Sequence, residues 1–129
     1  MRRLLRDERG SAVAEFTLVG VLLTALALAV VQLALALHVR NTVLDAAAEG
    51  ARYAALAGAD EFDGVERTRE LISTAISADY ARDITADRTS LDGVPVIAVT
   101  VRATMPVVGL FGVDHGLEVT GHAAVERLD

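Results

Sequence analysis

Residues 11–37 read SAVAEFTLVGVLLTALALAVVQLALAL, and this stretch decides how the rest of the chain is arranged. From Ala12 to Leu37 there is no Lys, Arg or Asp, and Glu15 is the one charged residue. An apolar run of about 20 residues crosses the hydrocarbon layer as a helix. This run is somewhat longer, so it can tilt or extend past the lipid. The Ala-Leu-Ala triplets near Ala27 to Ala36 imitate the cleavage site of a secretory signal. A signal's apolar region, however, spans only about 7–15 residues. The length here favours a retained anchor over a segment that is removed.

Arg2, Arg3, Arg6 and Arg9 precede the run; His38 and Arg40 follow it, and acids then outnumber bases. Basic residues stay on the cytoplasmic side of a membrane helix, which places the N-terminus in the cytoplasm. The expected organisation is a cytoplasmic leader over 1–10, a transmembrane helix over 11–37, a helical stem over 38–58 and an extracytoplasmic α+β domain over 59–129. The net charge is −6, and beyond Leu37 eight Arg stand against fifteen Asp and Glu. Affinity for nucleic acid comes mainly from cationic contacts to phosphate, so this balance argues against a nucleic-acid partner. There is no Cys, so no disulfide braces the outer part. An outer part of fewer than about 100 residues must draw stability from packing, from the stem or from partners.

Nothing in the sequence stops the helix at Leu37. His38 to Ala57 has no Pro and one Gly, and it is rich in Ala, the best helix former. Val39, Val43, Ala46, Ala47, Ala51 and Ala54 recur at three- and four-residue spacing, which predicts an apolar stripe. One helix from Ser11 to Ala57 would be about 70 Å long, with Gly58 as its stop. Asp63 and Glu66 have capping-box spacing and predict a second helix from about Gly64 to Arg82. Its buried face would be Val65, Ile72, Ala75, Ile76 and Tyr80, and its wet face Glu66, Arg67, Arg69 and Glu70.

The period then changes from helical to alternating. Ile97, Val99, Val101, Ala103 and Met105 alternate with more polar residues, and so do Leu117, Val119, Gly121, Ala123 and Val125. Each set predicts a half-buried strand. Asp92-Gly93 is a hairpin turn signal and implies a third strand before it, around Ile84 to Leu91. The expected fold is α+β: a long N-terminal helix, a second short helix and a small antiparallel sheet of about three strands.

Three stretches stand out for function. In Arg9-Gly10-Ser11-Ala12-Val13-Ala14-Glu15-Phe16 a charged leader ends in Gly and the apolar run begins at once, with Glu five residues past the Gly. Gly permits an extended backbone next to a protease. An acidic side chain inside an apolar run is costly, roughly 2.5–3.5 kcal/mol for Asp at mid-membrane, and less near a helix end. Cleavage after Gly10 would create a cationic amine at Ser11, a natural partner for the Glu15 carboxylate of the same chain or of a neighbour. The alternative is a Glu15 that simply reaches interfacial water. Next, Glu49-Gly50-Ala51-Arg52 places Gly inside a helix, at about 1 kcal/mol relative to Ala. Either Gly50 admits another element closely, or it is a tolerated surface Gly; Glu49 and Arg52 can pair weakly. Finally, Pro106 to Gly116 carries Val107, Val108, Leu110, Phe111 and Val113 in what should be a loop, which either folds onto the domain or forms a contact surface.

Taken together, these stretches resemble a known family. The Gly10-Ser11 start with Glu15-Phe16 resembles the processing site of type IV pilin-like proteins, whose leader is cut after Gly by a prepilin peptidase. Arg40-Asn41-Thr42-Val43-Leu44-Asp45-Ala46-Ala47-Ala48-Glu49-Gly50-Ala51-Arg52-Tyr53-Ala54 is similar to the stem of the TadE-like family, minor pseudopilins of the tight-adherence (Tad/Flp) pilus system. The similarity is close over the first 57 residues. Beyond them it lies only in the strand pattern and in the closing Ala-x-x-Glu-Arg of Ala123 to Arg127. Position 11 is Ser where many pilins begin with a large apolar residue, a departure that bears on N-methylation and on membership of the major pilins.

The resemblance implies a processed, membrane-anchored structural protein that acts in pilus assembly. Gly10 and Ser11 would be its processing residues, Glu15 and Phe16 its assembly residues, and Glu49, Gly50 and Arg52 its helix-packing residues. Partners would be the membrane, a prepilin peptidase, other pilin-like subunits and Tad apparatus membrane components. No catalysis, cofactor, metal or small-molecule substrate is expected, since the sequence carries no nucleophile motif, phosphate loop or metal spacing and His38, His115 and His122 lie apart. The rivals are an unprocessed bitopic membrane protein with an extracytoplasmic sensor or accessory domain, and a secreted binding module.

Overall fold

The computed structural model describes residues 7–105 and 116–127. Its elements are α1 (Asp7–Ala55), α2 (Glu61–Ala75), a short 3-10 turn (Ala78–Ala81), β1 (Asp83–Leu91), β2 (Val94–Ala103) and β3 (Leu117–Ala124). The fold is α+β, as expected. The chain divides into two compact units, Met1–Ala34 and Leu35–Asp129.

In the first unit the described residues are helical, and from Glu8 onward they are exposed apart from a half-buried Gln32. Helix α1 is long and apolar enough to cross a membrane, and among the described residues none of its most apolar window is buried. Helix α1 includes Glu8, Arg9 and Gly10, so it extends at least to Asp7, four residues beyond the expected Ser11. Once a long apolar segment has nucleated, each further residue adds a hydrogen bond at little cost.

In the second unit the stem, Leu35 to Ala55, supplies the central layer. All six residues of the expected stripe, Val39, Val43, Ala46, Ala47, Ala51 and Ala54, are buried. They join Ile72 of α2, Ile97, Val99, Val101 and Ala103 of β2, and Leu117 and Val119 of β3 in one core. The sheet is antiparallel in the order β1-β2-β3. Leu91 pairs with Val94 across Asp92-Gly93, whose φ angles of 51° and 81° make the tight two-residue turn that the sequence implies. The inner-facing alternation of β2 matches expectation, although the strand begins at Val94 and ends at Ala103, with Met105 packed beyond it.

The sheet reaches the stem at Gly121. A side chain there would place its Cβ 2.4 Å from the Ala48 nitrogen and 2.5 Å from the Ala47 carbonyl carbon, so strand and helix backbones meet directly. The polypeptide after β3 adds two ties: the Val125 N–H donates to the Pro95 carbonyl at 3.1 Å, and the Glu126 N–H donates to that of Ala55 at 3.0 Å. The latter satisfies one of the orphan carbonyls at the end of α1. That end falls at Ala55, two residues before the expected Ala57; Gly58 follows it at φ 90°.

The second helix differs most from expectation. Its N-cap is Asp60, not Asp63: the Asp60 carboxylate accepts from the Asp63 N–H, and the Asp63 carboxylate accepts from the Asp60 N–H, both at 3.0 Å. Asp thus fills both places of the capping box, a variant that a search for Glu at the second place passes over. The helix stops at Ala75 instead of Arg82, because Ser77 turns extended and caps the 3-10 turn through the Asp79 N–H. Its buried residues are Gly64, Thr68 and Ile72. Of the expected face only Ile72 is fully buried; Val65, Ile76 and Tyr80 are half-buried and Ala75 is exposed.

The start of α2 is tied to the sheet edge by an ion pair between Glu61 and Arg88 of β1. The Arg88 hydrogen bond, with a backbone hydrogen bond in support, holds the Glu61 carboxyl below its usual 4.5. A group lowered on folding stabilises above its unfolded value and loses that contribution as pH falls through the folded one. Acid titration followed by circular dichroism should therefore show the native protein losing stability below about pH 4.5. A Glu61→Gln variant, less stable at neutral pH, should lose less over that window, and parallel curves would remove the pair from the acid response.

Candidate functional site

The N-terminal motif lies on α1. Gly10 and Ser11 are exposed, and among the described residues a Cβ built on Gly10 meets nothing within 4 Å. Packing among the described residues therefore does not require the glycine. Ser11 and Glu15 are one helical turn apart and share a face, and Phe16 is 81% exposed. Val13, Leu18, Val19, Val21, Leu22 and Leu23 continue this uncovered apolar surface. Exposed apolar side chains in such number are stable in lipid and not in water. Two residues that sequence reasoning passed over suit the same setting. The Thr17 hydroxyl donates to the Val13 carbonyl at 2.9 Å, and that of Thr24 to the Gly20 carbonyl at 2.8 Å. Each polar group is satisfied inside its own helix, as a hydrocarbon surrounding demands. Arg2, Arg3 and Arg6 lie outside the described residues.

The stem motif separates into two roles. Gly50 is buried where α1 crosses α2. A Cβ on Gly50 would fall 1.8 Å from Thr68 Oγ1 and 2.7 Å from the Gly64 carbonyl oxygen. A Cβ on Gly64 would fall 2.7 Å from Ala54 Cβ and 2.9 Å from the Gly50 carbonyl oxygen. The two glycines thus face one another and let the backbones touch. Thr68, fully buried, donates to the Gly64 carbonyl at 2.8 Å and lies 3.5 Å from that of Ala46. Glu49 and Arg52 instead are exposed and pair at 3.6 Å across one turn. They border an open groove with Thr42, Asp45, Leu71 and Ala75. Gly64 and Thr68 went unnoticed in the sequence, though a signal existed: Gly64-x-x-x-Thr68 repeats the small-residue spacing of Ala46-x-x-x-Gly50-x-x-x-Ala54.

The remaining candidates stay apart. His38 and His122 are exposed, and His115 lies outside the described residues. Among the described residues no group of three metal-ligating side chains converges. Of the apolar segment 106–116, residues 106–115 also lie outside them, so its two readings stand as they did.

A helix long and apolar enough to cross a membrane, followed by a small α+β unit, is the pattern of a single-pass, membrane-anchored protein. Residues 10–52 match the family model described as TadE-like protein. The resemblance drawn from the motifs is borne out over this stretch, which runs from Gly10, through the apolar helix, to Arg52. No curated protein and no solved structure matches the chain.

The contact at Gly50 makes a quantitative expectation. Gly50→Ala should destabilise the second unit by about 1–3 kcal/mol, the usual cost of overpacking. Thr68→Ala should itself be destabilising, yet the double variant should lose less than the sum, because it removes the closest clash. Arg52→Ala should change stability by no more than about 0.5 kcal/mol. Urea unfolding of the native protein and the four variants in detergent measures all three, and strict additivity would contradict the contact.

Proposed function

We propose that this protein is a TadE-like minor pseudopilin, a structural component in the assembly of a tight-adherence (Tad/Flp) pilus or secretion apparatus, and not an enzyme. The observation that carries the reading is the Gly10-Ser11 step with Glu15 at the head of an exposed apolar helix, within the stretch that matches the family. A prepilin peptidase cuts after Gly10 at the cytoplasmic face, and the mature chain begins at Ser11. The helix anchors the protein with its N-terminus in the cytoplasm, and the α+β unit stands outside. In the bilayer α1 packs against the helices of other pilin-like subunits and of membrane components of the apparatus. The second unit presents its surface to envelope partners.

Mass spectrometry of the membrane-extracted protein tests the processing. The expected N-terminus is Ser11, and Gly10→Leu should abolish shortening while leaving insertion intact, since insertion depends on the apolar run and the arginines. An intact Met1 in cells with a working peptidase would favour the unprocessed bitopic protein with an outer sensor or accessory domain.

Glu15 is the assembly residue. Its carboxylate neutralises the Ser11 amine of a neighbouring subunit as the helices gather, with Phe16 beside it on the apolar surface. Glu15→Gln keeps shape and hydrogen bonding but leaves that cation uncompensated. Removing one partner of a desolvated pair costs about 3–5 kcal/mol, more than a hundredfold in an association constant. If Glu15 merely reached water, the loss would stay below about 1 kcal/mol. Co-purification with partner subunits at equal membrane levels separates the two, and equal recovery removes Glu15 from assembly.

A further inference from the structure

We propose that the end of the second unit farthest from Leu35 is a docking surface for a cationic partner, another protein whose apolar side chains are set among Lys or Arg. The proposal deepens the reading that this unit presents a surface to partners. It rests on that reading alone and holds whether or not Gly10 is cut. Four segments of the chain meet at this end: the stem finishes at Ala55, α2 starts at Glu61, β1 and β2 turn over at Asp92-Gly93, and the residues after β3 arrive beside them. The Glu126 N–H on the Ala55 carbonyl, the Val125 N–H on the Pro95 carbonyl and the ion pair of Glu61 with Arg88 hold them together. Beyond Leu37 the exposed large apolar side chains among the described residues are Leu44, Tyr53, Leu56, Phe62, Leu91 and Val94. The last four all belong to this end and are 46–68% exposed. Leu56 follows the stem, Phe62 is on the first turn of α2, and Leu91 pairs with Val94 across the hairpin turn. None of the four joins the core. Exposed apolar residues gathered at one place and rimmed by polar ones mark an interaction site.

The charges at this end choose the partner. Asp60, Asp92 and Glu126 are exposed and Asp63 is half-buried. Glu61 is neutralised by Arg88, and Arg52 is paired with Glu49, which leaves Arg127 as the cation to set against those four carboxylates among the described residues. A second copy docked through the same end would bring like charges together, and so would an anionic lipid surface. The chain's own residues 104–116 leave and re-enter the sheet at its other end, where Ala103 pairs with Leu117. From Val94 to Ala103 is nine residue steps, about 30 Å along a strand. A segment of that length that must return to its start reaches only about 24 Å. A cationic partner is the occupant that satisfies these conditions. The acids steer and orient it, and the apolar side chains supply the desolvated centre of the contact.

The test uses the full-length protein in the membranes of cells that produce it. A photo-crosslinking side chain is installed at Phe62 or at Leu91, and in controls at the exposed positions Glu70 on α2 and Thr85 on β1. Mass spectrometry of the crosslinked peptides should find, from Phe62 and Leu91, a segment of another protein in which the attached residue lies among apolar side chains and Lys or Arg. Joint replacement Asp92→Asn and Glu126→Gln should lower the yield about threefold. Washing the membranes in about 1 M salt, where charges are screened beyond about 3 Å, should lower it further. Leu56→Ser with Val94→Ser should lower it about tenfold. These exposed substitutions should leave the urea midpoint unchanged, so that lost product is not lost fold. Crosslinks to a second copy of this chain, to lipid or to a segment without Lys or Arg would overturn the proposal. So would a yield that the neutralised acids leave as it was. Crosslinks at Glu70 or Thr85 but not at Phe62 and Leu91 would move the partner surface elsewhere on the unit, and no crosslink at any position would remove the partner-presenting reading as well. The N-terminal residue of the same samples, read separately, decides the processing.

Discussion

The direct contact between the backbone of the stem and its neighbours is the constraint on which the rest of the outer unit depends. The stem is one helix with two covered sides. On one, Gly50 meets Gly64 and Thr68 of α2; on the other, Ala47 and Ala48 meet Gly121 of β3. Each approach is too close for a side chain. The core is accordingly made from Ala and Val on the stem, with larger residues such as Ile72, Ile97 and Leu117 supplied from around it. A helix that carried Leu and Phe at these positions would hold both α2 and the sheet several ångströms further out. Close backbone packing gains dispersion contacts that are individually small and collectively large. It substitutes for the bulk of apolar side chain that so short a domain lacks.

The same helix obeys a different rule in the first unit. There its large apolar residues are exposed among the described residues. Leu and Val predominate between Val13 and Leu37, whereas Ala predominates between Ala46 and Ala55. Helix α1 therefore carries two kinds of surface. The first is suited to lipid, where the backbone must be satisfied internally. The second is suited to protein, where small side chains admit close neighbours. The hydroxyls of Thr17 and Thr24, turned back onto their own helix, belong to the first kind; the buried hydroxyl of Thr68, wedged beside Gly50, belongs to the second.

Several polar contacts sit at element ends and on exposed faces of the sheet. The reciprocal caps of Asp60 and Asp63, the Glu61 pair with Arg88 and the Arg102 pair with Glu118 lie where elements begin or where the sheet is open to solvent. Exposed pairs add little to stability. They do fix where α2 starts and which strand it lies over. Glu49 and Arg52 are of this sort, while Gly50 between them in sequence belongs to the buried seam.

What the sequence determined by itself was whatever a short window of side chains decides. The apolar run from Ala12 to Leu37, the Ala-rich stripe of the stem, the alternation in β2 and β3 and the turn at Asp92-Gly93 are periodic or local signals, and each appears in the fold where it was read. The Gly10-to-Glu15 spacing and the stem motif were likewise legible, enough to indicate the family that matches residues 10–52. Only the tertiary structure decided which small residues meet. Gly50 with Gly64, Gly121 with Ala48, and the Ala55 carbonyl with the Glu126 N–H join positions from 14 to more than 70 residues apart. The physical reason is the same in each case. A Gly, an Ala or a free carbonyl carries no preference of its own for a partner, and the choice is made by the geometry that brings two backbones together.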